Sequence, residues 1–123
     1  MKIVYAGDTA KFPIEIEVDG EVVPPSNTDK LQYVEVVVYS RVDATNIVGR
    51  FSWGKELASG WKDITHDTGN NKLYLILDST DTSKVIDEEL VMQVTTCITD
   101  EIMPNGKDIS TGTAVFCKVK KKE

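Results

Sequence analysis

The sequence predicts an all-β fold packed as a sandwich, and three observations carry the prediction. Apolar and polar residues alternate with a period of two along much of the chain. Turn-forming residues recur roughly every dozen positions. No segment holds the 3.6-residue periodicity of a long amphipathic helix. At 123 residues and 41% hydrophobic, the chain is one domain's worth and can bury a single core.

Phe12, Ile14, Ile16 and Val18 alternate with Lys11, Pro13, Glu15 and Glu17, the pattern of a strand with one buried face. Pro13 has no N–H for a ladder, so this strand is expected at a sheet edge or a bulge. Asp19-Gly20 turns the chain into Glu21-Val22-Val23, and Pro24-Pro25-Ser26-Asn27 ends that run. Leu31 to Val42 is the clearest strand. Val34, Val36 and Val38 share its core face, with Tyr33, Glu35, Val37 and Tyr39 opposite. Ile47 to Trp53 follows, and Gly54 to Gly60 is expected to hold at most one helical turn around Lys55-Glu56-Leu57-Ala58. Trp61 to Thr65 reads as a short strand, Asp67 to Asn71 as a turn, and Leu73 to Leu77 as a strand. Ser79 to Ser83 is rich in capping residues, with one helical turn expected through Ser83-Lys84-Val85. Leu90 to Ile98 is a strand with Leu90, Met92, Val94 and Ile98 on one face. A polar loop from Asp100 to Thr111 then leads to a last strand, Thr113 to Lys120. The sum is an immunoglobulin-like antiparallel β-sandwich of seven to nine short strands, a single domain over residues 1–123.

Fourteen basic against twenty acidic side chains leave a net charge of −6. That field repels phosphate backbones and anionic lipid, so neither nucleic acid nor a membrane is expected as a partner. The basic run Lys118, Lys120, Lys121 and Lys122 reads as a solvated strand end. Met1 to Asp8 lacks the apolar stretch of a signal peptide, and no run approaches a membrane span. With Asn105-Gly106 as a two-residue hairpin turn, Cys97 faces Ala114 and Cys117 faces Val94. That offset is too large for a disulfide, so both thiols are expected reduced and partly buried.

Catalytic chemistry finds little to work with. His66 is the sole histidine; beside Asp63 and Asp67 it reads as an exposed turn residue rather than a metal ligand. The acidic loop from Asp100 to Asp108 lacks the ligand spacing of an EF-hand. No serine sits in a nucleophile elbow and no glycine-rich phosphate loop occurs, so no enzyme activity and no cofactor are expected. The aromatic residues offer more. Tyr33, Tyr39, Tyr74 and Ile76 lie on strand faces turned away from the expected core and form a candidate interface. Trp53 and Trp61 flank one loop, and the alternative reading is a carbohydrate-binding module that stacks sugars on them; otherwise they fill the core.

Several features in order then carry a resemblance. Gly7-Asp8-Thr9 precedes the first strand, and a valine-rich strand follows. A leucine-rich strand ends in Asp78-Ser79-Thr80-Asp81-Thr82. Leu90-Val91-Met92-Gln93-Val94, an acidic loop, and Val115-Phe116-Cys117-Lys118-Val119 complete the series. This order resembles the small immunoglobulin-like domains of tailed-phage virion proteins, such as the N-terminal domain of baseplate upper proteins and related fibre or capsid-attached modules. The resemblance implies a non-catalytic structural protein of a phage or prophage virion, assembled in the host bacterial cytoplasm. Its partners would be other virion proteins or further copies of itself. Those baseplate domains are usually followed by a receptor-binding or trimerising region. A chain that ends after the sandwich is expected to be an accessory or connector instead.

Overall fold

A computed structural model describes residues 1–122. The chain runs through β1 (Lys2–Tyr5), β2 (Ala10–Ile14), β3 (Glu17–Val18), β4 (Glu21–Val22), β5 (Leu31–Ser40), β6 (Asp43–Trp53), β7 (Lys62–Asp63), β8 (Thr65–Asp67) and β9 (Lys72–Leu77). One helical turn, α1 (Ser79–Thr82), leads to β10 (Glu88–Thr99) and β11 (Lys107–Lys120). A six-stranded sheet in the order β1-β11-β10-β5-β6-β7 packs against a three-stranded sheet, β2-β9-β8, and β3-β4 is a separate hairpin. The protein is an all-β sandwich, as expected. The strand count exceeds nine because several strands are two to four residues long, too short for alternation to register. Two pairings, β1 with β11 and β6 with β7, are parallel rather than antiparallel.

The core lies between the sheets. Val34, Val36 and Val38 from β5 join Phe51, Leu90, Cys117 and Val119 from the large sheet. Phe12, Leu73, Leu75 and Leu77 face them from the small one. Phe12 meets Phe116 edge-on at 4.8 Å, which ties the small sheet to the far end of the large one. As predicted, the proline-bearing strand β2 is an edge of its sheet, and Pro13 is exposed there. Asp19 and Gly20 both take positive φ, 53° and 82°, the twist that a two-residue hairpin turn demands between β3 and β4.

Several sequence readings are corrected. The helical turn sits at Ser79–Thr82, not through Ser83 to Val85, because Asp78 caps it: its carboxylate accepts the N–H of Asp81, and Asp81 returns the bond to the N–H of Asp78. Gly54 to Gly60 holds no helical turn. Gly54 itself has φ of +86° with a Cβ site that would strike the carbonyl oxygen of Gln32, so the chain leaves β6 by a bend that only glycine fits. The last strand begins at Lys107, so Asp108, Ser110 and Thr111 belong to a strand and not to a loop. Asn105 and Gly106 do take positive φ, but inside a wider loop from Asp100 to Gly106. The hairpin register therefore differs: Cys97 faces Ile109 and Cys117 faces Leu90. The two thiols are free and fully buried.

Candidate interaction edge

A sheet edge presents unpaired N–H and C=O groups, and soluble proteins guard such rows with prolines, charges, short strands or covering segments. Most edges of this sandwich are guarded. β2 carries Pro13 and Lys11, and β8 is three residues long. β6 is flanked by β7 at Phe51 and Ser52, and further along by the α1 segment, where Lys84 Nζ donates to the carbonyl of Val48 at 2.7 Å. The α1 segment is itself locked in place. Lys62 Nζ binds the buried Asp81 at 2.9 Å and Asp78 at 3.1 Å. Thr82 Oγ1 accepts the N–H of Gly7 and donates to the carbonyl of Asp8. Burial pulls the Lys62 ammonium down, but its bonds to Asp81 and Asp78 outweigh that and hold it above the usual lysine range.

β11 is the exception. β1 pairs with it only from Cys117 to Lys120. From Lys107 to Phe116 it has β10 on one side and, among the described residues, no strand on the other. Within that stretch Ile109 to Phe116 reads Ile-Ser-Thr-Gly-Thr-Ala-Val-Phe, with no charge and no proline. Ile109 and Val115 expose 59% and 40% of their surface, unlike the core residues at the β1 end of the strand. The overhang exists because the small sheet is too narrow to cover the β10–β11 hairpin. Met92 and Val94 are only partly buried there, and a groove runs between them, Gly112, Ala114 and the segment from Glu15 to Glu17.

On the outer face of the large sheet, register aligns side chains into rows. Ile47, Tyr39, Val91 and Val115 form one apolar row across four strands. Tyr33, Cys97 and Ile109 form another. Between them lies a polar band in which the hydroxyls of Thr95 and Thr111 share a hydrogen bond of 2.9 Å. Both apolar rows end at the open edge, on Val115 and Ile109.

The candidate residues separate accordingly. Tyr33 and Tyr39 sit half-buried on the outer face of the large sheet, with the Lys55 ammonium 4.7 Å from the Tyr33 ring. Tyr74 and Ile76 lie on the outer face of the small sheet, where Lys11 covers Tyr74 at 4.6 Å. They are two patches on opposite sides of the sandwich, not one surface. The tryptophans part in the same way. Trp53 shares its strand face with the core residue Phe51, packs against the core and meets His66 edge-on at 6.0 Å. Trp61 lies beside Glu35 and Ser52, which point to the other face. A shared sugar platform is not formed. His66 is in β8 and half-buried, not an exposed turn residue, and its Nε2 is buried without a hydrogen-bond partner among the described residues. Burial raises the Cys117 thiol to about 11, against a small opposing pull from Lys2, which leaves it un-ionised at neutral pH.

The open edge escaped the sequence reading because small polar residues interrupt the apolar alternation in β11. Its signal was available in another form, an uncharged, proline-free, β-prone run. Fold and edge together define a class: an all-β sandwich with an open ladder along β11. Comparison of the chain with family models, curated proteins and solved structures finds no match.

Proposed function

We propose that this chain is a non-catalytic structural and interaction protein, a building piece that joins an assembly through strand addition at β11. The unguarded edge from Lys107 to Phe116 carries this reading, since main-chain groups left open along a strand supply affinity without any pocket. A phage-type virion is the assembly proposed, on the order of elements that resembles immunoglobulin-like domains of tailed-phage proteins. The test follows a tagged chain in its producing cell through density-gradient fractionation. The wild-type protein is expected in fast-sedimenting particles. A variant with Ile109→Lys and Thr113→Lys, charges that guard the edge, is expected in the free fraction. Wild-type protein found only as a free 13.6 kDa species overturns the proposal.

A further inference from the structure

The open edge is self-complementary. We infer that its occupant is a second copy of this chain, with the two β11 strands antiparallel about a two-fold axis at Gly112. This deepens the reading of β11 as an interaction edge and rests on it.

In this register each residue of one copy faces the residue whose number adds to 224 with its own. Gly112 then faces Gly112, Thr111 faces Thr113, Ser110 faces Ala114, and Ile109 faces Val115. Ile109 and Val115, the two large apolar residues exposed on the strand, cover each other twice, once on each side of the axis. Thr111 and Thr113 oppose each other on the face that carries Ile109 and Val115. Directly opposed side chains are the unit of sheet stabilisation, so this matching favours the register over its neighbours. A shift of one residue would leave every side chain facing a partner of the other parity. The register also suits the backbone. All of these pairs join residues of like parity, so the outward-pointing N–H and C=O groups of one strand meet those of the other.

The outer face becomes continuous as well. The row Ile47, Tyr39, Val91 and Val115 runs on into Ile109, Cys97 and Tyr33 of the second copy. Tyr33 and Tyr39 of β5 thus belong to one apolar band that crosses the axis.

Charge fits the same geometry. Two molecules of net charge −6 repel, and Ile109 to Phe116 is an uncharged stretch along which they can approach. At each end of the ladder the hairpin tip, which carries Lys107 beside Asp100, Glu101 and Asp108, arrives where β1 begins in the other copy, an end that carries Lys2, Lys118 and Lys120 beside Glu88 and Glu89. Both signs are present on each side, so the tip is not repelled as the net charges alone would require. The ladder spans Ile109 to Val115 and stops short of Cys117, where β1 takes over the edge.

Sedimentation and disulfide trapping of the purified full chain test the inference. The wild-type protein is expected to sediment as a dimer at micromolar concentration. The Ile109→Lys, Thr113→Lys variant is expected as a folded monomer, with its β-sheet circular dichroism retained. Gly112 has open space where a Cβ would be built. Residues facing one another across a ladder have Cα atoms about 4.5–5.5 Å apart, within disulfide range. Gly112→Cys should therefore cross-link rapidly under mild oxidation, while Val115→Cys, which faces Ile109 and not itself, should cross-link at least tenfold more slowly. A wild-type monomer at all concentrations overturns the inference, and so does equal cross-linking of the two cysteine variants. Either result leaves the interaction reading to its own test, because a chain monomeric in isolation can still enter particles through β11.

Discussion

Asp81 has no exposed surface, and its carboxylate oxygens accept from Lys62 and from the backbone N–H of Asp78. Asp81→Ala removes the acceptor of the Asp78 N–H and one partner of a half-exposed Lys62 that keeps Asp78, so it is expected to cost about 1–2 kcal/mol and to lower the melting temperature by on the order of 5 °C. Thermal unfolding followed by circular dichroism measures this. Lys62→Met is expected to cost less, because Asp81 keeps its backbone donor and Lys84 at 3.8 Å. The cap beside it titrates. The N–H of Asp81, and then the Lys62 ammonium, hold the Asp78 carboxyl below its ordinary 3.8. A depressed carboxyl contributes stability that is present above 3.8 and lost as pH falls through the folded-state value. Asp78→Asn keeps the cap and removes the charge, so its melting temperature is expected to fall less steeply than the wild type's below pH 3.8.

Among the strands, edges are where sequence and behaviour connect most directly. Pro13 withholds one N–H from the exposed side of β2, on a strand otherwise suited to pairing. Pro13→Thr is expected to leave the fold intact and to promote higher-order association, read as a rise in light scattering at equal protein concentration. Unchanged scattering would show that Lys11 and the strand's short length guard this edge alone. How much of each strand was legible follows from how it is buried. β5 was read correctly because one face is core and the other is not, so valine and tyrosine alternate. Pro13 announced its edge for a local reason, the missing donor. β1 was invisible: four residues cannot show a period, and their partner lies at the other end of the chain. The first half of β11 looked like a loop because neither face is covered, so burial imposes no alternation on it. The helical turn was displaced by four residues because both Asp78 and the serines after it are good caps. The contact with Lys62 that favours Asp78 is tertiary. All four candidate residues, Tyr33, Tyr39, Tyr74 and Ile76, face away from the core, as alternation implies. The separation of Tyr33 and Tyr39 from Tyr74 and Ile76 depended on which sheet each strand joins, information that periodicity does not contain.

At the scale of the molecule, a single core unites both sheets, and Phe12 against Phe116 is a contact between them. Phe12→Ala is expected to cost about 3–5 kcal/mol and to leave unfolding as one transition. Tryptophan fluorescence and far-ultraviolet circular dichroism should still trace coincident curves. Separate midpoints would mean that the sheets unfold independently.

The parallel pairing of β1 with β11 also sets a clock on the protein's synthesis. Lys2 is made well before Cys117, its partner in the ladder, and must wait for it. At about 5–20 residues per second, translation of the segment between them takes roughly 6–23 s. Through that interval Val4 has no slot to fill, and the hairpin that carries the open edge does not yet exist. The nascent chain thus cannot offer β11 to a neighbour until the strands before it have been made. Pairing between copies, and entry into any larger particle through this edge, waits for the β10–β11 hairpin.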